Sequence, residues 1–167
     1  MAATPAAGGR AFLSVRMVEW SLMAALILTL LVVFINRVQV VQRQAELASV
    51  RSTLGSLRTA FVLQHLHREA AQNQTGAALQ RNPFELLERR PSNYFGETRP
   101  GELAAVPSGH WVFDAVCVCV GYLPVDATEF DSPSGDVMAW YRVEGATAGP
   151  LLLTAKERYV WQGQVMD

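Results

Sequence analysis

From Met17 to Ile35 the chain reads MVEWSLMAALILTLLVVFI, an apolar run broken by one acid, Glu19, near its start. A helix of ~20 such residues, rising ~1.5 Å per residue, spans a ~30 Å hydrocarbon core. The run therefore predicts a membrane anchor. A carboxylate inside such a segment costs roughly 2.5–3.5 kcal/mol on insertion scales, so it usually has a partner or a task. Glu19 is the first residue from which function can be argued.

A cleaved secretory signal competes with this reading, because Arg10 and Arg16 precede the run. The core is longer than the ~7–15 residues of a signal core and continues through Asn36 and Arg37 without a small-residue cleavage site, which favours an anchor. Arg10 and Arg16 on one side are matched by Arg37 and Arg43 on the other, so positive charge does not set the orientation.

With 167 residues, and the first fifth or so used for leader and anchor, the remainder suffices for one small domain. The net charge is −1, but residues 37–99 carry mostly arginine and 100–167 mostly Asp and Glu. This is not the basic footprint of a nucleic-acid binder, and no nucleic-acid partner is expected. The asymmetry suits head-to-side contacts between copies as well as ordinary solvated faces.

The helical pattern continues past the anchor. No proline occurs between Pro5 and Pro83, and the first glycine beyond the anchor is Gly55. Val38, Val41, Ala45 and Ala48 form one stripe, followed by Leu47, Val50, Leu54, Leu57 and Phe61 at three-four spacing, with Arg43, Arg51 and Arg58 mostly off it. One long helix is predicted from about Arg16 to about Gln74, its distal stripe packing on the globular domain or, as the second reading, on a coiled-coil partner. AQNQTGAALQ is turn chemistry. In NPFELLERRP, Asn82 caps a short helix, Pro83 fits its first turn, Glu85 stands three residues past the cap and Pro91 ends it. SNYFGETRPGE reads as loop. WVFDAVCVCVGYL, MAWYRV and LLLTAKERYVW read as strands separated by clusters such as DSPSGD. The expected fold is α+β: a long N-terminal transmembrane helix stalk packed on a small antiparallel sheet. Its segments are a leader (1–14), a transmembrane helix (15–36), the distal amphipathic helix (37–80) and a loop and sheet domain (81–167).

Catalytic arrangements are not expected. Cys117 and Cys119, read as alternating in an extended segment, point to the same face, but C-x-C lacks the second ligand pair of a zinc site. They read first as small buried apolar side chains. A bulged or interchain disulfide is the second reading, because an exported domain meets an oxidising compartment. His65 and His67 lie about 200° apart around a helix and do not share a metal as i, i+4 partners do. His110 stands alone beside Trp111. Glu85 is explained by capping and by pairing with Arg89, and Glu88 lies on the same short helix. Nucleophile-elbow, Walker and dinucleotide motifs do not occur. No enzyme activity, cofactor or metal is expected.

Two blocks resemble bacterial type IV pilins and the pseudopilins of type II secretion. SVRMVEWSLMAALILTLLVVF is similar to their leader junction and hydrophobic helix if the cut lies between Ser14 and Val15, which puts Glu19 fifth in the mature chain. NPFELLERRPSNYFGE, with GHWVFD and VGYLPV, resembles the loop and first strands of a pilin subgroup. The resemblance implies a non-enzymatic minor or divergent filament subunit. Processing would fall at Ser14 and Val15, and Glu19 would serve assembly. The implied partners are other pilin-like subunits, an inner-membrane assembly platform, a prepilin peptidase and the lipid bilayer. The implied location is the bacterial inner membrane with the domain in the periplasm, and then an extracellular pilus.

The role of Glu19 also follows from charge. Removal of the leader creates an α-amine of pKa ~8 beside an apolar helix, and Glu19 of one helix neutralises the amine of another where unpaired charge is expensive. A carboxyl that snorkels or is protonated at the membrane boundary is the simpler alternative. Ser21, Ala24 and Ala25 would let anchor helices approach closely. A second hypothesis is a single-pass, membrane-tethered binding module that never polymerises.

Overall fold

Nothing in the proline-free stretch interrupts backbone hydrogen bonding, and a single helix, α1, runs Gly9–Ala70. The computed structural model describes residues 9–70, 82–99, 102–145 and 149–166, with side chains from Val15 onward. The expected end of the helix near Gln74 and the turn cluster through Gln80 lie outside the described residues. Arg68 lies in the last described turn of α1, where its positive charge complements the helix macrodipole. The chain divides into two units, Met1–Ala45 and Glu46–Asp167, and α1 contributes to both.

In the first unit every side chain from Val15 to Gln42 is exposed. The most apolar window of this helix has a mean hydropathy of 2.4 and none of it is buried. A helix that is apolar all round has no solvent-compatible face, so it is suited to lipid or to other helices. Its hydroxyls are satisfied internally: Ser21 Oγ donates to the Val18 carbonyl and Thr29 Oγ1 to that of Ala25, both at 2.8 Å. Polar groups in hydrocarbon require that arrangement. Val38 and Val41, placed on a stripe from sequence, are exposed here as well.

In the second unit the three-four stripe of α1 is the floor of the core. Leu47, Val50, Leu54, Leu57 and Phe61 are each at most 3% exposed and cluster with Trp111, Phe113, Val120, Tyr122, Tyr141 and Val143. The five-stranded sheet comprises β1 (Tyr94–Thr98), β2 (Trp111–Asp114), β3 (Cys119–Tyr122), β5 (Ala139–Gly145) and β6 (Leu151–Ala155), in the order β1-β2-β3-β5-β6. β4 (Phe130–Asp131), β7 (Tyr159–Trp161) and β8 (Gln164–Met166) form a second sheet in the order β4-β7-β8. The α+β class is as expected, but the larger sheet is mixed. β1 pairs with β2 in parallel, and a 3₁₀ turn at Leu103–Ala105 lies between them in the chain.

Two expected strands are each broken in two. WVFDAVCVCVGYL is a hairpin: β2 and β3 pair antiparallel, with Asp114 opposite Cys119. LLLTAKERYVW supplies β6 to one sheet and β7 to the other. SNYFGETRPGE, expected as loop, contains β1. The Asn82 cap is present, its Oδ1 accepting the Phe84 N–H at 3.0 Å, although the helix it starts is a 3₁₀ turn at Pro83–Leu86. Glu85 lies 3.8 Å from Arg90 rather than pairing with Arg89, since a 3₁₀ turn does not keep i, i+4 spacing.

Aromatic rings link the elements in series. Phe84 contacts Tyr94 (centroids 4.4 Å apart) and Trp111 (6.0 Å), Trp111 contacts Tyr122 (4.8 Å), and Tyr122 contacts Trp161 (5.5 Å). Phe130 touches both Trp161 and Tyr159, and Tyr159 meets Tyr141. Each such pair contributes about 0.5–1.5 kcal/mol beyond area burial. On the outer face of the larger sheet the Trp140 ring lies over Gly121, where a Cβ would sit 2.6 Å from a ring carbon, so that position admits only glycine without repacking.

Tyr159 joins the sheets. Its hydroxyl accepts the Trp140 N–H at 2.9 Å and donates to the Trp140 carbonyl at 3.1 Å. Burial pushes its phenol up to about 12, against the opposing pull of the Trp140 backbone bond, with Glu157 and Asp136 adding to the rise. Burial also raises Tyr122 and Tyr141. A folded pKa above the unfolded value of ~10 means that the fold favours the neutral phenol. The contribution is whole below pH ~10 and is lost as pH climbs through the folded value near 12. Urea unfolding from pH 8 to 12 is expected to show stability falling above pH ~10. Tyr159→Phe is expected to be less stable at neutral pH, because it leaves the buried Trp140 N–H unpartnered, but to decline less in alkali.

Candidate functional site

The residues singled out from sequence fall on α1. Ser14 is in its helical backbone, and its side chain and residues 1–8 lie outside what is described. Val15 is 67% exposed. Glu19 is also exposed, and it follows Val15 at i+4, so the two lie one turn apart on the same face. Were Val15 the N-terminus, its ammonium would stand at the positive end of the helix dipole, and a carboxylate within the first turn or so would offset that charge. Along the described span Val15–Asn36, Arg16 and Glu19 are the charged side chains, Ser21, Thr29 and Asn36 are polar, and the rest are apolar or small and exposed. This helix is long and apolar enough to cross a membrane once.

In the second unit the polar groups near the core are mostly engaged in holding it. Glu46 accepts the Tyr122 hydroxyl at 3.0 Å and the Val125 N–H at 2.8 Å, fixing the end of β3 and the following loop to α1. Arg51 donates to Gln164 Oε1 at 2.6 Å, and Arg58 to the Leu153 carbonyl at 3.3 Å. Asn82 Nδ2 donates to the Tyr94 hydroxyl at 2.6 Å and to Glu97 Oε1 at 3.1 Å, so the capping residue also positions β1. The roles of Glu46 and Asn82 as long-range clamps were not visible in sequence, where a lone acid beside Leu47 and an N-cap were the available signals.

The DSPSGD turn closes over Glu157. Its carboxylate accepts the Ser132 hydroxyl, the Ser134 hydroxyl at 2.7 Å and the Ser134 N–H at 3.1 Å, and these hydroxyls hold it below the usual carboxylate range. His65 Nε2 is 3.2 Å from Glu69 Oε1, one turn on, and His110 Nδ1 is 2.9 Å from the Ser108 carbonyl. Among the described residues, no group of three or more His, Cys, Asp or Glu side chains converges as a metal site would. An open groove of about 670 Å³ runs along the small side chains Ser52, Gly55, Ser56 and Thr59 of α1, opposite Leu86 and Leu87.

The cysteines depart from their first reading. Cys117 and Cys119 are joined as a disulfide, with Cα atoms 5.2 Å apart. They do not alternate along one strand. Cys117 lies in the β2–β3 turn and Cys119 opens β3, with Val118 between them at φ 55°. A β-branched residue in that left-handed region costs about 1–3 kcal/mol and is held by its surroundings. The Asp114 carboxylate starts the turn by accepting the Val116 N–H at 2.8 Å, and the Val118 carbonyl accepts the Val143 N–H at 3.1 Å.

Comparison with family models, with curated proteins and with solved structures yields no match.

Proposed function

We propose that this chain is a structural subunit of a filament of the type IV pilus or type II secretion pseudopilus kind, a minor or divergent pilin-like protein rather than an enzyme. Before assembly it sits in the bacterial inner membrane with its globular unit in the periplasm. The single observation that carries the reading is the helix from Val15 to Gln42, exposed all round and almost wholly apolar through Ile35, with Glu19 its one acid. Such a surface needs lipid or like helices around it, and a carboxylate in that setting needs a counter-ion. A neighbour's α-amine supplies one if the chain is cut before Val15. The leader junction and the NPFELLERRPSNYFGE block, both similar to pilins, support the same reading. An assembly platform, a prepilin peptidase and other pilin-like subunits are the partners it requires.

The tethered binding module is kept as a second reading because Ser14 stands where pilins carry glycine before the cut. The intact mass of the detergent-extracted protein separates the two. With a prepilin peptidase present, loss of Met1 to Ser14 is expected. A chain that keeps its leader while the peptidase processes a control pilin would favour the tethered module.

A further inference from the structure

We propose that the Cys117–Cys119 bond is a site of thiol–disulfide exchange, with the exposed Cys117 sulfur the point of attack for a thiolate from a dithiol. The two sulfurs differ in access. Cys117 is exposed at the tip of the β2–β3 turn, whereas Cys119 is 1% exposed and packs with Val112, Met138 and Trp140. An incoming thiolate therefore reaches Cys117, and Cys119 is the leaving sulfur.

The register places charge on either side of that leaving group. Across β2, β3 and β5, Asp114, Cys119 and Arg142 are directly opposed and so share one face of the sheet. Arg142 is exposed and favours a thiolate at Cys119, while the Asp114 carboxylate, buried and bonded to the Val116 N–H, opposes it. The β2–β3 pairing does not depend on the disulfide, since four registered residue pairs hold the hairpin.

The step balances as an exchange. The attacking thiolate bonds to Cys117 Sγ, the Cys117–Cys119 bond breaks, and its electron pair leaves on Cys119. The second thiol of the reductant, as thiolate, then attacks the mixed disulfide and releases Cys117. The dithiol ends as its own disulfide, and its two protons end on Cys117 and Cys119.

The experiment uses the full chain in detergent micelles, equilibrated with graded ratios of reduced to oxidised dithiothreitol, alkylated and weighed, with near-UV circular dichroism recording the fold. Complete, reversible reduction with the near-UV signal retained is expected. With glutathione as the attacking thiol, the trapped adduct is expected on Cys117, assigned by fragmentation of the peptide that carries both cysteines. Arg142→Gln, an exposed substitution, is expected to slow reduction several-fold. Asp114→Asn, which keeps an oxygen for the Val116 N–H, is expected to speed it. Reduction that occurs only together with unfolding, or an adduct on Cys119, would overturn the proposal. Unchanged rates in both variants would overturn the assignment of Cys119 as the leaving sulfur.

Discussion

Phe61→Ala is expected to lower the stability of the globular unit by about 3–5 kcal/mol, the usual cost of truncating a fully buried phenylalanine. Phe61 is 1% exposed and is the last of the five stripe residues that α1 places in the main core. Removal of its ring withdraws apolar area from the core, and the rigid helix and the sheet cannot both collapse into the space. Against a typical total of ~5–15 kcal/mol, this is roughly a fifth or more of the stability of such a domain. Urea titration of residues 38–167, which leave out the apolar segment, measures it as a lower midpoint with an unchanged slope. A midpoint equal to wild type would mean that the stripe packs against something other than this core.

Glu19→Gln is expected to leave folding and membrane insertion intact and to abolish assembly. The amide keeps the size of the side chain and removes its charge, so insertion is, if anything, easier. In the filament proposed above, built of helices like Val15–Gln42 cut before Val15, a neighbour's α-amine would then have no counter-ion. Breaking such a buried pair costs roughly 3–5 kcal/mol, which per subunit contact is a shift of some two to four orders of magnitude in the association constant. Incorporation into sheared filaments, or crosslinking to other pilin-like subunits in the membrane, measures the effect against total protein level. Wild-type incorporation would remove charge pairing from the mechanism and leave the anchor untouched. It would also favour the simpler view of Glu19 as a snorkelling carboxyl at the membrane boundary.

The helical half of the fold was the more legible. The three-four spacing of Leu47, Val50, Leu54, Leu57 and Phe61 marks the residues that α1 buries. The Asn82 cap was equally plain, because its geometry involves only its own neighbours. The three expected β segments contain β2, β3, β5, β6 and β7, but two of them divide where the pattern shows no break, and β1, β4 and β8 lie outside them. WVFDAVCVCVGYL contains no glycine, proline or asparagine before Gly121 to mark a reversal. Its turn is made by the Asp114 side chain, by Val118 at positive φ and by the covalent link between the cysteines. LLLTAKERYVW likewise breaks at residues that are not turn formers, and its halves enter different sheets. The candidate site followed the same division. Glu19 and Val15 share a face by helix period alone, whereas the row Asp114, Cys119 and Arg142 exists only through strand register.

The apolar segment, the long helix and its buried stripe are therefore properties of the amino-acid order, because helical hydrogen bonds connect residues four apart and the apolar period reports directly which face is buried and which is not. Strand direction and partnership had no such local source. The parallel pairing of β1 with β2, the split of one apolar run between two sheets, and the clamps from Glu46 to Tyr122 and from Tyr159 to Trp140 join residues far apart in the chain. Their free energy comes from side-chain packing and hydrogen bonds that form only when those distant segments meet, so the folded core chooses among pairings that the sequence pattern leaves equivalent.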